Sequence, residues 1–246
     1  MFAETKKWFN AAIGFFYPEV CQYCRQERAT PDEGFICSEC RKNLKWIEAP
    51  FCDRCGLPFG GEISTVFVCN NCNDLTLHFR KARSAVLFEE IMMEVMHRYK
   101  YNQALWFERF LANCLVEQAV PELRKEPWDI IVPVPLHPRK EKEREFNQAE
   151  RLARQLSRAS GIPMSKRILR RVEPTRTQTR LSRKERLENV RKAFALFPGT
   201  HLNGQRIVLI DDVFTTGATS SSCAKVLRDA GAADVCVWTV ARGGLN

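Results

Sequence analysis

A short apolar run that ends in two adjacent carboxylates constrains the fold of this chain more than any other feature. Residues 207–210, Ile-Val-Leu-Ile, are rich in β-branched side chains and predict a strand that is buried on both faces. Asp211 and Asp212 follow at once, and a helix is predicted over 220–228. A strand, a polar loop and a helix in this order build a ligand site at the carboxyl end of a strand in open α/β sheets.

The loop between this strand and helix combines hydroxyl side chains with a glycine. Its residues are Thr215, Thr216, Gly217, Ala218 and Thr219. Backbone N–H groups at a helix N-terminus favour a phosphate, and glycine allows a positive φ or a close approach of the backbone to the anion. Because two carboxylates repel a phosphate, the acidic pair must face another part of the ligand, such as sugar hydroxyls. The alternative is an ordinary buried strand whose acidic residues cap a turn.

Residues 206–219 resemble the phosphoribosyl-pyrophosphate (PRPP) motif of type I phosphoribosyltransferases, in which two acidic residues precede Val-x-Thr-Thr-Gly-x-Thr. The resemblance implies that Asp211 and Asp212 hold the ribose hydroxyls and are the candidate catalytic groups. It implies that loop 215–219 wraps the 5′-phosphate of PRPP. It also implies a Mg²⁺ ion between the sugar and pyrophosphate oxygens, with few protein ligands because Mg²⁺ keeps waters and substrate oxygens.

Eight of the eleven cysteines form four Cys-x-x-Cys pairs before residue 73. The pairs are Cys21/Cys24, Cys37/Cys40, Cys52/Cys55 and Cys69/Cys72. Two such pairs complete a tetrahedral zinc site with no open position for water, so four pairs predict two structural zinc ions. The glycines of the second unit favour consecutive pairing, and a cross-braced arrangement stays open. Redox chemistry at one pair is the competing interpretation.

The positive charge of the chain is concentrated in one segment. The net charge is +9, yet residues 139–192 alone hold 18 Lys and Arg against 7 Asp and Glu, a net of +11. This concentration favours an anionic ligand, and a solvated basic face is the alternative. By the same resemblance, the turn at 133–139 would hold pyrophosphate with Arg139, and Arg176 and Arg180 would close over it.

The pattern of apolar residues bears on location and domain organisation. No apolar run reaches the roughly 18 residues of a membrane span, and residues 6–17 predict a short helix and not a signal peptide. We therefore expect a cytoplasmic protein with no membrane span. Downstream of the cysteines, strands are predicted at 82–88, 129–135, 168–169 and 234–240, and helices at 89–99, 104–119 and 147–159. The expected domains are 1–80, with the N-terminal helix and zinc ribbons, and 81–246, the phosphoribosyltransferase-like domain.

Taken together, the motifs resemble the ComF family of competence-associated, phosphoribosyltransferase-like proteins. They are the Cys-x-x-Cys pairs, Val-Pro-Val-Pro at 132–135, Arg-x-Phe-Asn-Gln at 144–148, Thr-x-x-Gln from residue 175, and the acidic-pair motif. The resemblance implies an α/β fold with a type I phosphoribosyltransferase-like parallel sheet after a four-cysteine double zinc ribbon. Glu145 departs from the family pattern, which has glycine there, and this puts the local loop geometry in question.

The resemblance also implies a role in DNA uptake during natural transformation, through single-stranded DNA and partners in a DNA-import assembly. Single-strand binding needs rings for base stacking, which the zinc module offers as Trp46, Phe51, Phe59 and Phe67. One alternative is an active phosphoribosyltransferase that moves ribose 5-phosphate from PRPP to a nitrogenous base and releases pyrophosphate. Another is a structural adaptor without a reaction.

Overall fold

The computed structural model describes residues 19–61, 66–73, 76–173 and 193–244. The predicted N-terminal helix at 6–17, Arg176 and Arg180 lie outside these residues. Six strands are described, β1 (Lys81–Leu87), β2 (Ile130–Pro133), β3 (Leu169–Arg171), β4 (Phe194–Leu196), β5 (Arg206–Phe214) and β6 (Asp234–Arg242). The helices are α1 (Ser38–Lys42), α2 (Asn70–Asn73), α3 (Glu90–Tyr101), α4 (Glu108–Leu123), α5 (Pro138–Arg144), α6 (Gln148–Ser160) and α7 (Ala218–Asp229), with a 3-10 turn at Leu105–Phe107.

The main sheet has four strands in the order β1-β6-β5-β2, and every neighbouring pair is parallel. The predicted parallel α/β sheet is therefore confirmed. Its central strands are apolar on both sides because helices cover both faces. Val208 and Ile210 of β5 pack into the core that contains α4 and α6, whereas Ile207 and Leu209 pack into the core that contains α7.

Strand β5 is longer than the sequence predicted. It was expected to end at residue 210, but it continues through the acidic pair to Phe214. The reason is that Val213 and Phe214 keep their parallel register with Ala241 and Arg242 of β6. The acidic pair therefore lies near the end of a regular strand and not in a loop. Pairing of this strand with β6 fixes the backbone of both aspartates.

Two further elements of the part that follows the cysteine units were not predicted. The strand expected at 168–169 is β3, but it pairs antiparallel with the unpredicted β4 in a separate two-stranded sheet. Helix α5 follows the proline-rich turn directly, where only a stiff turn was expected. Both elements are short, so their apolar periodicity is too brief to be recognised.

Both cysteine units hydrogen-bond to strand β1. The N–H of Ile47 donates to the carbonyl of Ala85 at 3.0 Å, and the N–H of Ala82 donates to the carbonyl of Arg54 at 2.8 Å. Strand β1 begins next to the predicted domain boundary at residue 80, and that division stays a prediction. Within the residues described, no helix has the length and apolar character needed to cross a membrane.

Candidate functional site

A cavity of about 460 Å³ opens at the carboxyl ends of β2 and β5. It brings together the acidic pair and the whole of loop 215–219, as the motif predicted. The turn after β2 and the end of α3 also line it. The cavity lies where two neighbouring parallel strands end, which is the usual ligand position in open α/β sheets.

The two carboxylates of the acidic pair have different surroundings. The Oδ1 of Asp211 accepts the backbone N–H of Asp212 at 2.9 Å, and the Oδ2 of Asp212 accepts from Nζ of Lys100 at 2.8 Å. Burial, followed by the charge of Asp212, raises the pKa of Asp211 to about 7. The Asp211 carboxyl is therefore protonated more easily than that of an exposed aspartate, and its ionised form accepts hydrogen bonds from hydroxyls more strongly.

Gly217 sets the shape of the loop. It has φ +79° and is the residue from which α7 begins. A Cβ at this position would lie 2.7 Å from Cζ of Phe214, so both the conformation and the space require glycine. Nearby, the hydroxyl of Thr216 accepts the N–H of Ala218 at 3.4 Å. The loop therefore turns tightly into the helix N-terminus, where peptide N–H groups favour an anion.

Four cationic side chains line the same cavity, namely Lys100, Lys140, Arg144 and Arg171. Burial, and then the positive charges of Arg171 and Arg144, lower the pKa of Lys140. A lysine pKa depressed by neighbouring cations indicates positive charge held close together in a partly desolvated place. Such a cluster is suited to a multiply charged anion. Lys140, Arg144 and Arg171 belong to the basic segment 139–192, although the sequence did not predict them as cavity residues, and Lys100 lies outside that segment.

Arg139, the arginine predicted for the pyrophosphate turn, points elsewhere. Helix α5 begins at Pro138, and the His137 side chain caps it by accepting the N–H of Arg139 at 3.2 Å. The side chain of Arg139 is 82% exposed, lies 3.9 Å from Glu143 and is outside the cavity lining. The helical turn presents Lys140 to the cavity in its place, a consequence of the unpredicted helix.

Tyr101 supplies an aromatic ring at the cavity mouth. The residue is 62% exposed, and Nη2 of Arg144 donates to its hydroxyl at 3.2 Å. The guanidinium carbon lies 4.9 Å from the ring centroid. Sequence reasoning missed both Lys100 and Tyr101, because α3 read only as an amphipathic helix and nothing in its pattern placed its end beside β5.

The eight paired cysteines form two clusters, and consecutive pairing is confirmed: Cys21, Cys24, Cys37 and Cys40 in one, Cys52, Cys55, Cys69 and Cys72 in the other. Measured Sγ–Sγ distances are 3.8 Å in the first and 3.7 and 3.9 Å in the second. A tetrahedron with Zn–S bonds of about 2.3 Å has edges of about 3.8 Å, so both clusters fit zinc. Disulfide sulfurs would lie only about 2.05 Å apart.

The aromatic rings of the zinc module are largely engaged in packing. The guanidinium carbon of Arg41 lies 5.1 Å from the ring of Trp46, and that of Arg83 lies 4.5 Å from Phe51. Phe59 and Phe67 pack edge to face, with centroids 4.3 Å apart. The module thus offers less aromatic surface for base stacking than the sequence suggested. Larger exposed fractions are found on Tyr101 and on Trp106, which is 41% exposed.

Comparison with known proteins gives the family. The sequence model of the double zinc ribbon domain matches residues 12–73. Competence protein F of Haemophilus influenzae is 32% identical over 231 residues, which cover 92% of this chain and 98% of that protein. The chain belongs to the ComF family. Other ComF-like relatives include the competence protein ComFC of Bacillus subtilis, 30% identical over 95% of this chain and 99% of its own length.

A further relative of this ComF protein is the DNA utilization protein YhgH of Salmonella typhi, 30% identical over 92% of this chain and 97% of its own length. Among solved structures, a purine phosphoribosyltransferase from Pyrococcus horikoshii is 16% identical, with a TM-score of 0.36, over 54% of this chain and 83% of that one. A likeness of that size carries no weight for ligand or reaction. The expected fold class is confirmed by the parallel sheet and by the zinc-ribbon match.

Proposed function

We propose that this ComF protein binds PRPP with Mg²⁺ in the 460 Å³ cavity and serves DNA uptake by handling single-stranded DNA. The observation that carries the proposal is that the acidic pair Asp211 and Asp212 and the hydroxyl-rich loop 215–219 line one cavity. The pair suits the ribose hydroxyls, and the start of α7 suits the 5′-phosphate. The cations Lys140 and Arg144, which line the same cavity, suit the pyrophosphate.

The role in DNA uptake rests on the relatives. The printed names of the H. influenzae and B. subtilis proteins are competence proteins, and that of the S. typhi protein is a DNA utilization protein. Each matches nearly the full length of this chain. The cysteines are free of disulfides, and thiols stay reduced and able to bind zinc in a reducing compartment. The proposed location is therefore the cytoplasm.

The experiment that tests PRPP binding is calorimetric titration with Mg²⁺ and PRPP. In the double variant Asp211→Asn, Asp212→Asn, each lost charge-assisted hydrogen bond to a sugar hydroxyl should cost about 1.5–3 kcal/mol of binding free energy. Asp229→Asn is the matched control, since it makes the same chemical change at the far end of α7. Unchanged affinity in the double variant would refute the ribose assignment.

Pyrophosphate release from PRPP, measured with and without a panel of nitrogenous bases, separates the proposal from the transferase alternative. A binding and DNA-handling protein releases no pyrophosphate beyond the buffer control. Release that depends on one added base would establish a phosphoribosyltransferase and identify its acceptor.

A further inference from the structure

Arg242, at the end of β6, is a buried arginine between the second cysteine cluster and the phosphate loop. Its relative exposure is 1%. Its Nη1 donates to the carbonyls of Phe214 and Thr215, at 3.2 and 2.6 Å, and to that of Gly243 at 2.8 Å. Its Nη2 donates to Sγ of Cys55 at 3.6 Å. One side chain therefore joins a predicted zinc ligand to the first residues of the loop.

These contacts fix the direction of two peptide groups. In a planar trans peptide the C=O and the N–H of the same unit point in opposite directions. Because Arg242 holds the carbonyls of Phe214 and Thr215, the N–H groups of Thr215 and Thr216 point away from the guanidinium. Both threonines line the cavity. Arg242 thus orients the peptide dipoles that a phosphate at the loop would meet.

The charge of Arg242 needs a counter-charge. Its hydrogen-bond partners in the part of the chain that the structure covers are three carbonyl oxygens and one sulfur, and none is a carboxylate. A buried cation without an opposite charge is costly. Four thiolates around one Zn²⁺ carry a net charge of −2, and Cys55 is one of the four. The metal-loaded second cluster fits this requirement for a counter-ion.

The two cysteine clusters differ in their connection to the cavity. The second cluster belongs to the same apolar core as Phe214 and Ala218, and the ring of Phe79 lies 5.9 Å from that of Phe214. The first cluster belongs to the other core, on the opposite face of the sheet, with α3 and α4. No contact like that of Arg242 joins the first cluster to loop 215–219 among the described residues.

We propose that Arg242 is a positioning residue through which the second cysteine cluster, but not the first, supports phosphate binding at the loop. This inference rests on the proposed PRPP function for its ligand and on the contacts of Arg242 for its mechanism. It makes the two clusters functionally unequal, although each would hold one zinc ion by the same four ligands.

The first test compares Cys55→Ser with its matched control Cys24→Ser, with zinc content measured by mass spectrometry and PRPP affinity by calorimetry. Each variant should lose one zinc ion. We expect Cys55→Ser to bind PRPP at least 10-fold more weakly and Cys24→Ser to stay within about threefold of the wild type. Equal losses in the two variants would overturn the proposal.

The second test removes the link and leaves the cysteines intact. Arg242→Met should keep the zinc content of the wild type, weaken PRPP binding at least 10-fold and speed amide hydrogen exchange in the peptide over 214–219. Arg83→Met is the control, because Arg83 donates to the Asp53 carbonyl of the second unit at 3.0 Å but has no bond to the loop among those described. Unchanged affinity and exchange in Arg242→Met would overturn the proposal.

Two additional experiments cover the cases in which a variant does not fold or the wild type does not bind PRPP. If Arg242→Met does not fold, Arg242→Lys takes its place, since lysine keeps the charge but cannot reach three carbonyls and a sulfur with one nitrogen. If the wild type itself does not bind PRPP, the proposed function fails on its own. Amide hydrogen exchange over 214–219 in Cys55→Ser and Cys24→Ser then tests whether the second cluster supports the loop through Arg242. The proposal predicts faster exchange in Cys55→Ser alone.

Discussion

Asp211 is the residue on which the chemistry of the cavity depends most directly. Burial and the adjacent Asp212 hold its pKa near 7, whereas the backbone N–H of Asp212 and the charges of Lys100 and Arg171 favour the ionised form. The opposing effects leave the pKa of the carboxyl well above that of an exposed aspartate. A ribose hydroxyl that donates to Asp211 is bound more strongly by the ionised form, so ligand binding and proton release are linked.

This linkage predicts a pH dependence of PRPP binding. The ionised fraction of Asp211 rises about tenfold between pH 6 and pH 8 for a pKa near 7, so the affinity should rise by about the same factor. The measurement is calorimetry across this range. Asp211→Asn is the baseline, because it shares the titration of the ligand phosphates but lacks the carboxyl. A wild-type profile parallel to that baseline would contradict the linkage.

The same pKa predicts an effect on stability. The pKa of Asp211 lies above the value of about 3.9 in an unfolded chain, so between these values the folded protein binds more protons and its stability falls as the pH rises. Asp211→Asn removes this penalty. Its gain in unfolding free energy should grow from pH 4 to pH 7, reach on the order of 1–3 kcal/mol and then stay constant. Urea unfolding at several pH values measures it, and a gain that is largest at pH 4 would be inconsistent.

Glu145 allows a second prediction at this scale. It stands where relatives of the ComF type were expected to have glycine, and it adopts φ +66° at the end of α5. A non-glycine residue in this region costs about 1–2 kcal/mol, part of which is offset by the larger chain entropy of unfolded glycine. Glu145→Gly should therefore stabilise the protein by about 0.5–1 kcal/mol in thermal unfolding. Glu143→Gly, within the helix, is the control and should destabilise it.

Some residues of the site could be predicted from the sequence and others could not. Asp211, Gly217 and the cysteines were predictable because each motif is contiguous and its spacing expresses one chemical requirement. Lys100 and Arg242 were not predictable, because they lie at the ends of elements that are distant in sequence from the site. No local sequence pattern indicates which distant residues come into contact in the folded chain. Arg139 lies outside the cavity lining for the same reason, since a one-residue change in helical phase decides which side chain faces the cavity.

At the scale of elements, long apolar segments were predicted and short ones were missed. The main sheet strands and α3, α4, α6 and α7 follow clear periodicity, and their positions differ from prediction by a few residues. Helix α5 and strand β4 have seven and three residues, too few for a periodic signal. The continuation of β5 was missed because two aspartates disfavour a strand locally, and pairing with β6 outweighs that preference.

The cysteine units permit a prediction of their own. Purified protein should contain two zinc ions per chain by atomic emission, and Cys52→Ser should contain one, because each four-thiolate cluster fits one tetrahedral ion. The variant should keep the circular dichroism of the parallel sheet, since most side chains packed around the main sheet are apolar residues of its own strands and helices. Zinc-free protein with disulfides would contradict both the metal assignment and the proposed compartment.

At the scale of the whole molecule, positive charge and an exposed ring meet around one cavity. Tyr101, at the end of α3, lines the opening with Arg144 and Lys140, and Trp106 lies in the 3-10 turn that follows α3. Single-stranded DNA binding without sequence preference uses such a combination of backbone charge and stacking rings. The rings that the structure favours are thus in the sheet domain, and not in the zinc module.

The resulting DNA prediction distinguishes charge from stacking. Replacing Arg176, Arg180 and Arg183, three arginines of the basic segment 139–192, by alanine should flatten the log–log salt dependence of oligonucleotide binding by about 0.7 for each lost phosphate contact. Trp106→Ala should weaken binding by about 1–3 kcal/mol with the same salt slope. Trp46→Ala is the comparison, because its ring already lies under Arg41. Fluorescence anisotropy at several salt concentrations measures both effects, and absence of any complex at physiological salt would exclude DNA handling.

The position of β6 has a consequence for how the chain reaches this structure during synthesis. It is the last strand described, yet it lies in the middle of the sheet, where Ser84 of β1 bonds Thr239 across 155 residues. Strand β1 therefore lacks its β6 partner until residues 234–242 have left the ribosome, whereas both cysteine units, which also hydrogen-bond to β1, can bind metal long before. The nascent chain would carry metal-bound cysteine units beside a strand whose pairing toward β6 is still open, and it is this interval that would expose the molecule to aggregation and to chaperones.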